Sequence, residues 1–382
     1  MQQPKRIVII AGEESGDVHA ASFVRELKER NPNLEISGIG GQHMHDAGVT
    51  LISDLARFGV TGLSEVIRHA RVIRRAFQDI KAHLQTHKPD LLVLVDYPGF
   101  NLRLAKFAKR RLGIRVLYYI SPQIWAWKAN RIHTIRAYVD KMAVILPFEK
   151  KLYEQAGVPV SFVGHPLVDK IPVDQDIPTL KSKLDLPQNK RLIAILPGSR
   201  TNEIEHLMPV LRDTAIKLMN EHADLHFVIP VARTINPAVI QSYLSNTVLP
   251  YTLIKEQAVE TIYCSDFAIV ASGTASLECA LLIKPMCIIY KGSWLSYLAA
   301  CKLIRVKFLG LCNLLQNQMI VPELLQYDCN PLEISRAITD LMTNPDVSNR
   351  MIRRLQHLKN TLSIQQADFT ISSLIEHELG TG

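Results

Sequence analysis

At 382 residues the chain is about twice the length of an ordinary domain, so two domains are expected. Its 47% hydrophobic and 21% charged residues exclude a disordered chain, and no run approaches 18 uninterrupted apolar residues, which excludes a bilayer-spanning helix. The net charge of +8 suits anionic small molecules, acidic membrane surfaces and nucleic acid alike, and by itself decides nothing.

The opening MQQPKRIVIIAGEESGD carries no apolar stretch of signal-peptide shape before its first strand, so a cytoplasmic protein with reduced thiols is expected. RIVIIAG reads as a buried strand. The turn after it holds Gly12, Ser15 and Gly16, small enough for close approach to a ligand, among the acidic Glu13, Glu14 and Asp17. It does not match G-x-G-x-x-G and would repel a phosphate, which suits a polyhydroxyl or neutral group; a capped helix start is the competing reading.

After the strand-like LEISGIG, an amphipathic helix is expected from Gly62 to about Lys88. Leu63, Val66, Ile67, Ala70, Ile73, Phe77, Ile80 and Leu84 recur there at steps of three and four, beside a stripe of Arg68, Arg71 and Arg75. Two readings stay open. The apolar face covers the sheet, or FGVTGL, with Val60, and the helix start touch lipid while the arginines meet anionic headgroups.

In LLVLVDYPGFN, Asp96 ends a strongly apolar strand just before Pro98 and Gly99. Open α/β sheets bind ligands at the carboxyl ends of their strands, so this carboxylate is expected there, partly desolvated and raised toward a useful general base. An aspartate that merely caps the next helix is the alternative. IRVLYYI, MAVIL and VSFVGH continue the strand rhythm. Trp125 and Trp127, in the intervening SPQIWAWKANRI, suit stacking on sugars, lipids or bases, and equally a core.

Prolines 166, 172, 178 and 187 crowd GHPLVDKIPVDQDIPTLKSKLDLPQ and mark a domain boundary. The domains are accordingly expected at 1–167 and 168–354, with a helical, charged segment over 355–382 packing back on the first.

The second half opens with LIAILPGSRTNEIEHL, a strand that stops at Pro197, turns through Gly198 and Ser199 and starts a helix past Arg200. A helix start is partly positive, which Glu203 and Glu205 complement and Arg200 does not. Arg200 is therefore either a solvated charge or one wall of an anion site, with the N–H groups of Gly198 and Ser199 as the rest. IVASGTASLECALL forms a companion turn: Ser272, Gly273 and Thr274 admit diphosphate oxygens to backbone donors, and Glu278 can accept from ribose hydroxyls. A capping arrangement of Thr274 with Glu278 competes with that reading.

HFVIPVA, FAIVASG and MCIIYKG complete a second set of strands, giving two parallel-sheet α/β domains that share a central cleft. WLSYLAACKLIRVKFLGLCNLL, over 294–315, either meets lipid or packs inside the second domain. The six cysteines stand at spacings of 8 to 17 without a C-x-x-C pair, poor spacing for zinc or disulfides. No D-x-D stands in the expected turn, so neither metal nor cofactor is expected, and the scattered basic residues argue against nucleic acid.

In their order AGEESGD, DYPGFN, SPQIWAWK, LPFE, GHPLVD, LPGSR, ASGTASLE and NLL, the chain resembles the lipid-A-disaccharide synthase family over nearly its full length. The resemblance implies a GT-B type glycosyltransferase of two Rossmann-like domains facing a central cleft, peripheral on the inner face of the bacterial inner membrane. Its donor would be UDP-2,3-diacylglucosamine and its acceptor 2,3-diacylglucosamine 1-phosphate, joined β-1,6 with release of UDP. It implies Asp96 and Arg200 as the essential pair. Ser272, Gly273, Thr274, Glu278 and Asn313 of NLL fall on the nucleotide side, and the membrane segment falls on 58–73, including Val60, Leu63, Val66, Ile67 and Ile73.

Gly198, Ser199 and Arg200 join that nucleotide side, while Glu13, Ser15, Gly16 and Asp96 face the acceptor. Asp96 would take the proton of the acceptor 6-hydroxyl in an inverting displacement. A homodimer is left open. The alternative is a UDP-sugar 2-epimerase, because the same architecture hosts such isomerases.

Overall fold

A strand such as Leu91–Val95, apolar at every position, must be covered on both faces, and the chain supplies that cover by alternating strands with helices. The computed structural model describes residues 4–55, 70–125, 128–168, 176–292, 307–363 and 367–380. It divides into two units, Met1–Pro166 with Leu362–Gly382, and Leu167–Thr361.

The first unit holds β1 (Arg6–Ala11), β2 (Glu35–Gly40), β3 (Thr50–Asp54), β4 (Leu91–Val95), β5 (Val116–Tyr119), β6 (Lys141–Val144) and β7 (Val160–Phe162). They form one parallel sheet in the order β3-β2-β1-β4-β5-β6-β7. Successive side chains alternate between its faces. Ile7 and Ile9 pack with Phe23, Val24 and Leu27 of the helix Glu14–Arg30; Val8 and Ile10 pack with Ala76, Ile80 and Leu84 of the helix Ala70–Thr86.

Ile73 of that second helix is half-buried against the same core, together with Phe77, so the described part of the amphipathic helix uses its apolar face to cover the sheet. Val60, Leu63, Val66 and Ile67 lie outside the described residues, as does Trp127.

The C-terminal segment forms two helices, Pro345–Leu362 and Ile371–Leu379, and the second of these belongs to the first unit. Leu374 and Ile375 enter the core beside Phe23, while Glu376 accepts from Asn31 at 2.8 Å and Glu378 pairs with Arg115 at 2.7 Å.

The second unit holds β8 (Arg191–Leu196), β9 (Leu225–Val231), β10 (Tyr251–Lys255), β11 (Phe267–Ala271), β12 (Met286–Tyr290) and β13 (Glu323–Leu325). Their order is β10-β9-β8-β11-β12-β13, again parallel throughout. The helix Thr201–Glu221 buries Ile204, Leu207, Met208, Leu211 and Leu218, and the helix Pro331–Thr343 packs along it. Cys264, Cys279, Cys287, Cys312 and Cys329 are buried free thiols; burial pushes that of Cys287 up to about 12.

Candidate active site

In each sheet the strand order reverses once, between β1 and β4 in the first unit and between β8 and β11 in the second. Crevices outside the carboxyl ends at such reversals are where open α/β sheets bind ligands. The turns singled out by sequence follow these four strands, so each reversal brings two of them together.

In the first unit Ala11 pairs with Val95, which sets the turn after β1 beside the turn after β4. Gly12 has no alternative there: a Cβ would come within 2.3 Å of the Tyr97 ring. Asp96 and Tyr97 both take left-handed backbone, with φ of 45° and 46°, a strained conformation for residues other than glycine. The surroundings hold it in place. Tyr118 Oη donates to the Asp96 carbonyl at 2.6 Å, Asn101 Nδ2 donates to it at 2.7 Å, and the Asp96 N–H meets the Tyr119 carbonyl at 3.0 Å.

Asp96 does not cap the following helix, whose N-cap is Tyr97 with no side-chain cap bond. Burial pushes the Asp96 carboxyl up to about 6, with the Tyr97 N–H and the Arg131 charge pulling the other way.

Around this turn, Glu13 is half-buried and its charge, after burial, helps raise the Tyr97 phenol. Ser15 is exposed; Gly16 is buried against the strand ends, where a Cβ would sit 3.5 Å from that of Ala11. Asp17 is structural: fully buried, it accepts the N–H groups of Gly41, His43 and Met44 at 2.7, 3.0 and 3.1 Å, anchoring the turn after β2.

The same edge carries a second carboxyl, this one fully buried, that the sequence reading did not single out. Glu149 opens the helix Pro147–Gln155 after β6 and is 1% exposed. Trp125 Nε1 donates to its Oε1 at 3.0 Å, so this tryptophan serves the framework. Burial pushes Glu149 up to about 7; Trp125, Ser121 and the Leu146 backbone lower it, and the charge of Asp96 raises it further. A carboxylate directly after a strand–proline turn was the available signal.

In the second unit the turn Gly198–Arg200 after β8 neighbours Ser272–Thr274 after β11, since Leu196 pairs with Val270. The Glu203 carboxylate occupies the first turn. Its Oε2 accepts from the N–H groups of Ser199 at 3.0 Å and Arg200 at 3.3 Å, and its Oε1 lies 3.3 Å from Arg200 Nη1. Gly198, at φ 111°, is needed because a Cβ would stand 2.3 Å from Glu203 Oε2. Glu203 therefore does more than complement the helix dipole: it fills, as a carboxylate, the place expected for a phosphate. Arg200 remains 65% exposed.

The companion turn is open. A Cβ on Gly273 would meet no atom within 4 Å, and the helix Thr274–Leu281 begins with Gly273 as N-cap and no side-chain cap bond. Thr274 is already inside the helix, so it does not cap it. The Ser272 N–H is taken by the Ile289 carbonyl at 2.9 Å, which leaves the amides after Gly273 as the donors this turn offers. Glu278 is half-buried one turn on.

Asn313 departs from the direct nucleotide contact that the resemblance implies. It is fully buried, and all four of its hydrogen-bonding positions are used: Nδ2 donates to Val321 O at 2.7 Å and Glu323 Oε1 at 2.8 Å, while Oδ1 accepts from Ile320 N at 2.7 Å and Val321 N at 2.9 Å. An amide has no further donors or acceptors to offer, so Asn313 clamps the approach to β13. Among the described residues no group of three or more His, Cys, Asp or Glu is arranged to hold a metal.

Residues 7–377 match the model of the lipid-A-disaccharide synthetase family. Lipid-A-disaccharide synthase 1 of Legionella pneumophila (strain Lens) is 59% identical over 379 residues, covering 99% of both chains. The lipid-A-disaccharide synthase of Geobacter sulfurreducens is 39% identical over 375 residues, covering 98% of this chain and 97% of the relative. Among solved structures, UDP-GlcNAc 2-epimerase from Neisseria meningitidis superposes with a TM-score of 0.67 at 16% identity, over 99% of this chain and 100% of the other. The calicheamicin glycosyltransferase CalG4 does so with a TM-score of 0.62 at 14% identity, over 99% of both. At such identities the structural likeness speaks to fold alone, that of GT-B glycosyltransferases and epimerases.

Proposed function

Because this chain belongs to the lipid-A-disaccharide synthetase family, and is accordingly a glycosyltransferase of lipid A synthesis, we propose that it transfers 2,3-diacylglucosamine from UDP to the 6-hydroxyl of 2,3-diacylglucosamine 1-phosphate. The observation that supports this division of labour best is Asp96. It is a half-buried, partly desolvated carboxyl whose pKa is pushed up to about 6, at the end of β4 beside the acidic, glycine-containing turn after β1. Such a group is ionised at pH 7 yet basic enough to accept a proton in the transition state.

In this reading Asp96 removes the hydroxyl proton as the oxygen attacks the anomeric carbon, and UDP departs from the opposite face. Glu13, Ser15 and Gly16 border the acceptor. The second unit takes the leaving group: the Arg200 guanidinium and the uncapped N–H groups after Gly273 meet the charge growing on the diphosphate. For that, the diphosphate displaces the Glu203 carboxylate, which already models an anion at the site. The epimerase alternative has fold likeness alone behind it.

The exposed Arg71, Arg74 and Arg75, with Arg103, Lys106, Arg110 and Arg111 on the adjoining helical segment, give the first unit a cationic surface. It supports peripheral attachment to the anionic inner face of the membrane, where acylated substrates reside. No helix among the described residues is long and apolar enough to cross a membrane.

The test is turnover of the purified chain with both acylated sugars, scored by UDP release and disaccharide formation. An epimeric UDP-sugar formed from donor alone, with no disaccharide, would overturn the reading.

A further inference from the structure

Asp96, Ser121 and Glu149 follow β4, β5 and β6, three neighbouring strands, and so line one stretch of the carboxyl edge of the first sheet. The bonding of Glu149 is lopsided. Oε1 receives the Trp125 N–H at 3.0 Å, but Oε2 is buried with no hydrogen-bond partner among the described residues. The nearby Ser121 hydroxyl donates to the Pro122 carbonyl at 3.0 Å and shares a hydrogen bond with the Tyr153 hydroxyl at 2.8 Å; it and the Leu146 backbone lower the Glu149 pKa, but burial outweighs them.

A buried ionised carboxylate needs donors on both oxygens, and a bare one is costly. Among the described residues the groups acting on Glu149 are Trp125, Ser121, the Leu146 backbone, Tyr153 and the Asp96 carboxyl, and none of these brings a positive charge; Arg131 acts on Asp96 and Tyr118. A proton on Oε2 removes the bare charge and leaves an O–H free to donate to a water or a ligand oxygen.

We propose that Glu149 is the positioning residue for Asp96: it stays a neutral carboxylic acid, so that this edge carries a single negative charge, held on the carboxylate that receives the acceptor's proton. The inference rests on the reading of Asp96 as general base. Two carboxyls sharing a desolvated edge ionise in two separated steps, and the partnerless Oε2 of Glu149 is the oxygen on which the retained proton is placed.

The test is infrared titration of the carboxyl C=O stretch in the full chain, wild type against Glu149→Gln and Asp96→Asn, with UDP release followed against pH. A protonated-carboxyl band persisting to about pH 7 in wild type is expected to vanish in Glu149→Gln and to titrate at lower pH in Asp96→Asn. The upper ionisation in the kcat/KM profile is expected to disappear in Glu149→Gln, and kcat to be higher in Glu149→Gln than in Glu149→Ala.

A band untouched by Glu149→Gln, or with the same midpoint in Asp96→Asn, overturns the inference while leaving the base assignment standing. The expected band behaviour with full turnover in Asp96→Asn overturns the base assignment and, with it, the positioning role. Should Glu149→Gln not fold, the shift in Asp96→Asn alone decides.

Discussion

Glu203 reaches back 3.3 Å to the Arg200 guanidinium across the start of its own helix, and in doing so it offsets the positive charge of the turn at which we propose the diphosphate binds. The proposed site is thus held by an internal carboxylate. A ligand diphosphate must compete with it, so Glu203→Ala is expected to tighten UDP binding about three- to tenfold, roughly 1 kcal/mol of lost competition. Folding stability should fall by about 0.5–1 kcal/mol as the helix start loses its negative partner. Calorimetric titration with UDP checks this, and unchanged or weaker binding speaks against Arg200 as the diphosphate contact.

Arg200→Ala is expected to lower kcat about 10²–10³-fold, the usual loss when one donor to developing charge is removed. Because the side chain is 65% exposed, the melting temperature should barely move. Arg200→Lys should not restore activity, since an ammonium cannot hold a phosphate through two parallel N–H groups. Steady-state kinetics with varied donor decides, and activity within threefold of wild type in Arg200→Ala sinks the assignment.

For Asp96→Asn a fall in kcat of about 10²–10⁴ is expected. The same variant should be more stable than wild type at alkaline pH. The Asp96 carboxyl goes from 3.8 to about 6 on folding, and that of Glu149 from 4.5 to about 7, so the folded chain binds these protons more tightly than the unfolded one. Each therefore costs nothing below pH 4 and increasingly destabilises the fold as pH rises through 6 and 7. The penalty is on the order of 3 kcal/mol apiece. Melting temperatures of Asp96→Asn and Glu149→Gln should exceed that of wild type at pH 8, with the advantage shrinking toward pH 4.5. An advantage independent of pH would remove desolvation as the cause.

His165 acts from the acid side. Burial, then the neighbouring His19, lowers its pKa from 6.5 to about 3, so it is neutral in the folded chain. The unfolded chain takes up a proton below pH 6.5 that the folded one refuses, and stability is lost progressively as pH falls from 6.5 toward 3. Chemical denaturation across pH 4–7 should show His165→Gln with a flatter acid limb than wild type. An identical limb would mean that the imidazole protonates without unfolding.

What could be read from sequence follows the degree of burial. The central strands announce themselves: Leu91–Val95, Val116–Tyr119 and Phe267–Ala271 are short apolar runs because helices cover both faces. The overlooked strands β3, β10 and β13 all lie at sheet edges. There Thr50, Asp54, Tyr251, Lys255 and Glu323 meet solvent or polar partners, and no continuous run survives.

The site divides similarly. Turns after strands made the placement of Asp96 and Arg200 legible, because chain order alone sets them at the carboxyl edge of each sheet. Glu203 and Glu149 were not, since an acidic residue in a first helical turn looks like dipole complement whether or not it also fills an anion site or faces a second carboxyl. The clamping role of Asn313 was hidden for a different reason: a buried amide that holds Ile320 and Val321 has no local pattern that separates it from a ligand contact.

The helix Ile371–Leu379, which seats Leu374 and Ile375 in the core of the first unit, is separated from that unit's other strands and helices by the whole of the second. During translation the second half of the chain is therefore complete on the ribosome while the first still lacks a piece of its interior. The half that emerges earliest is the last to close.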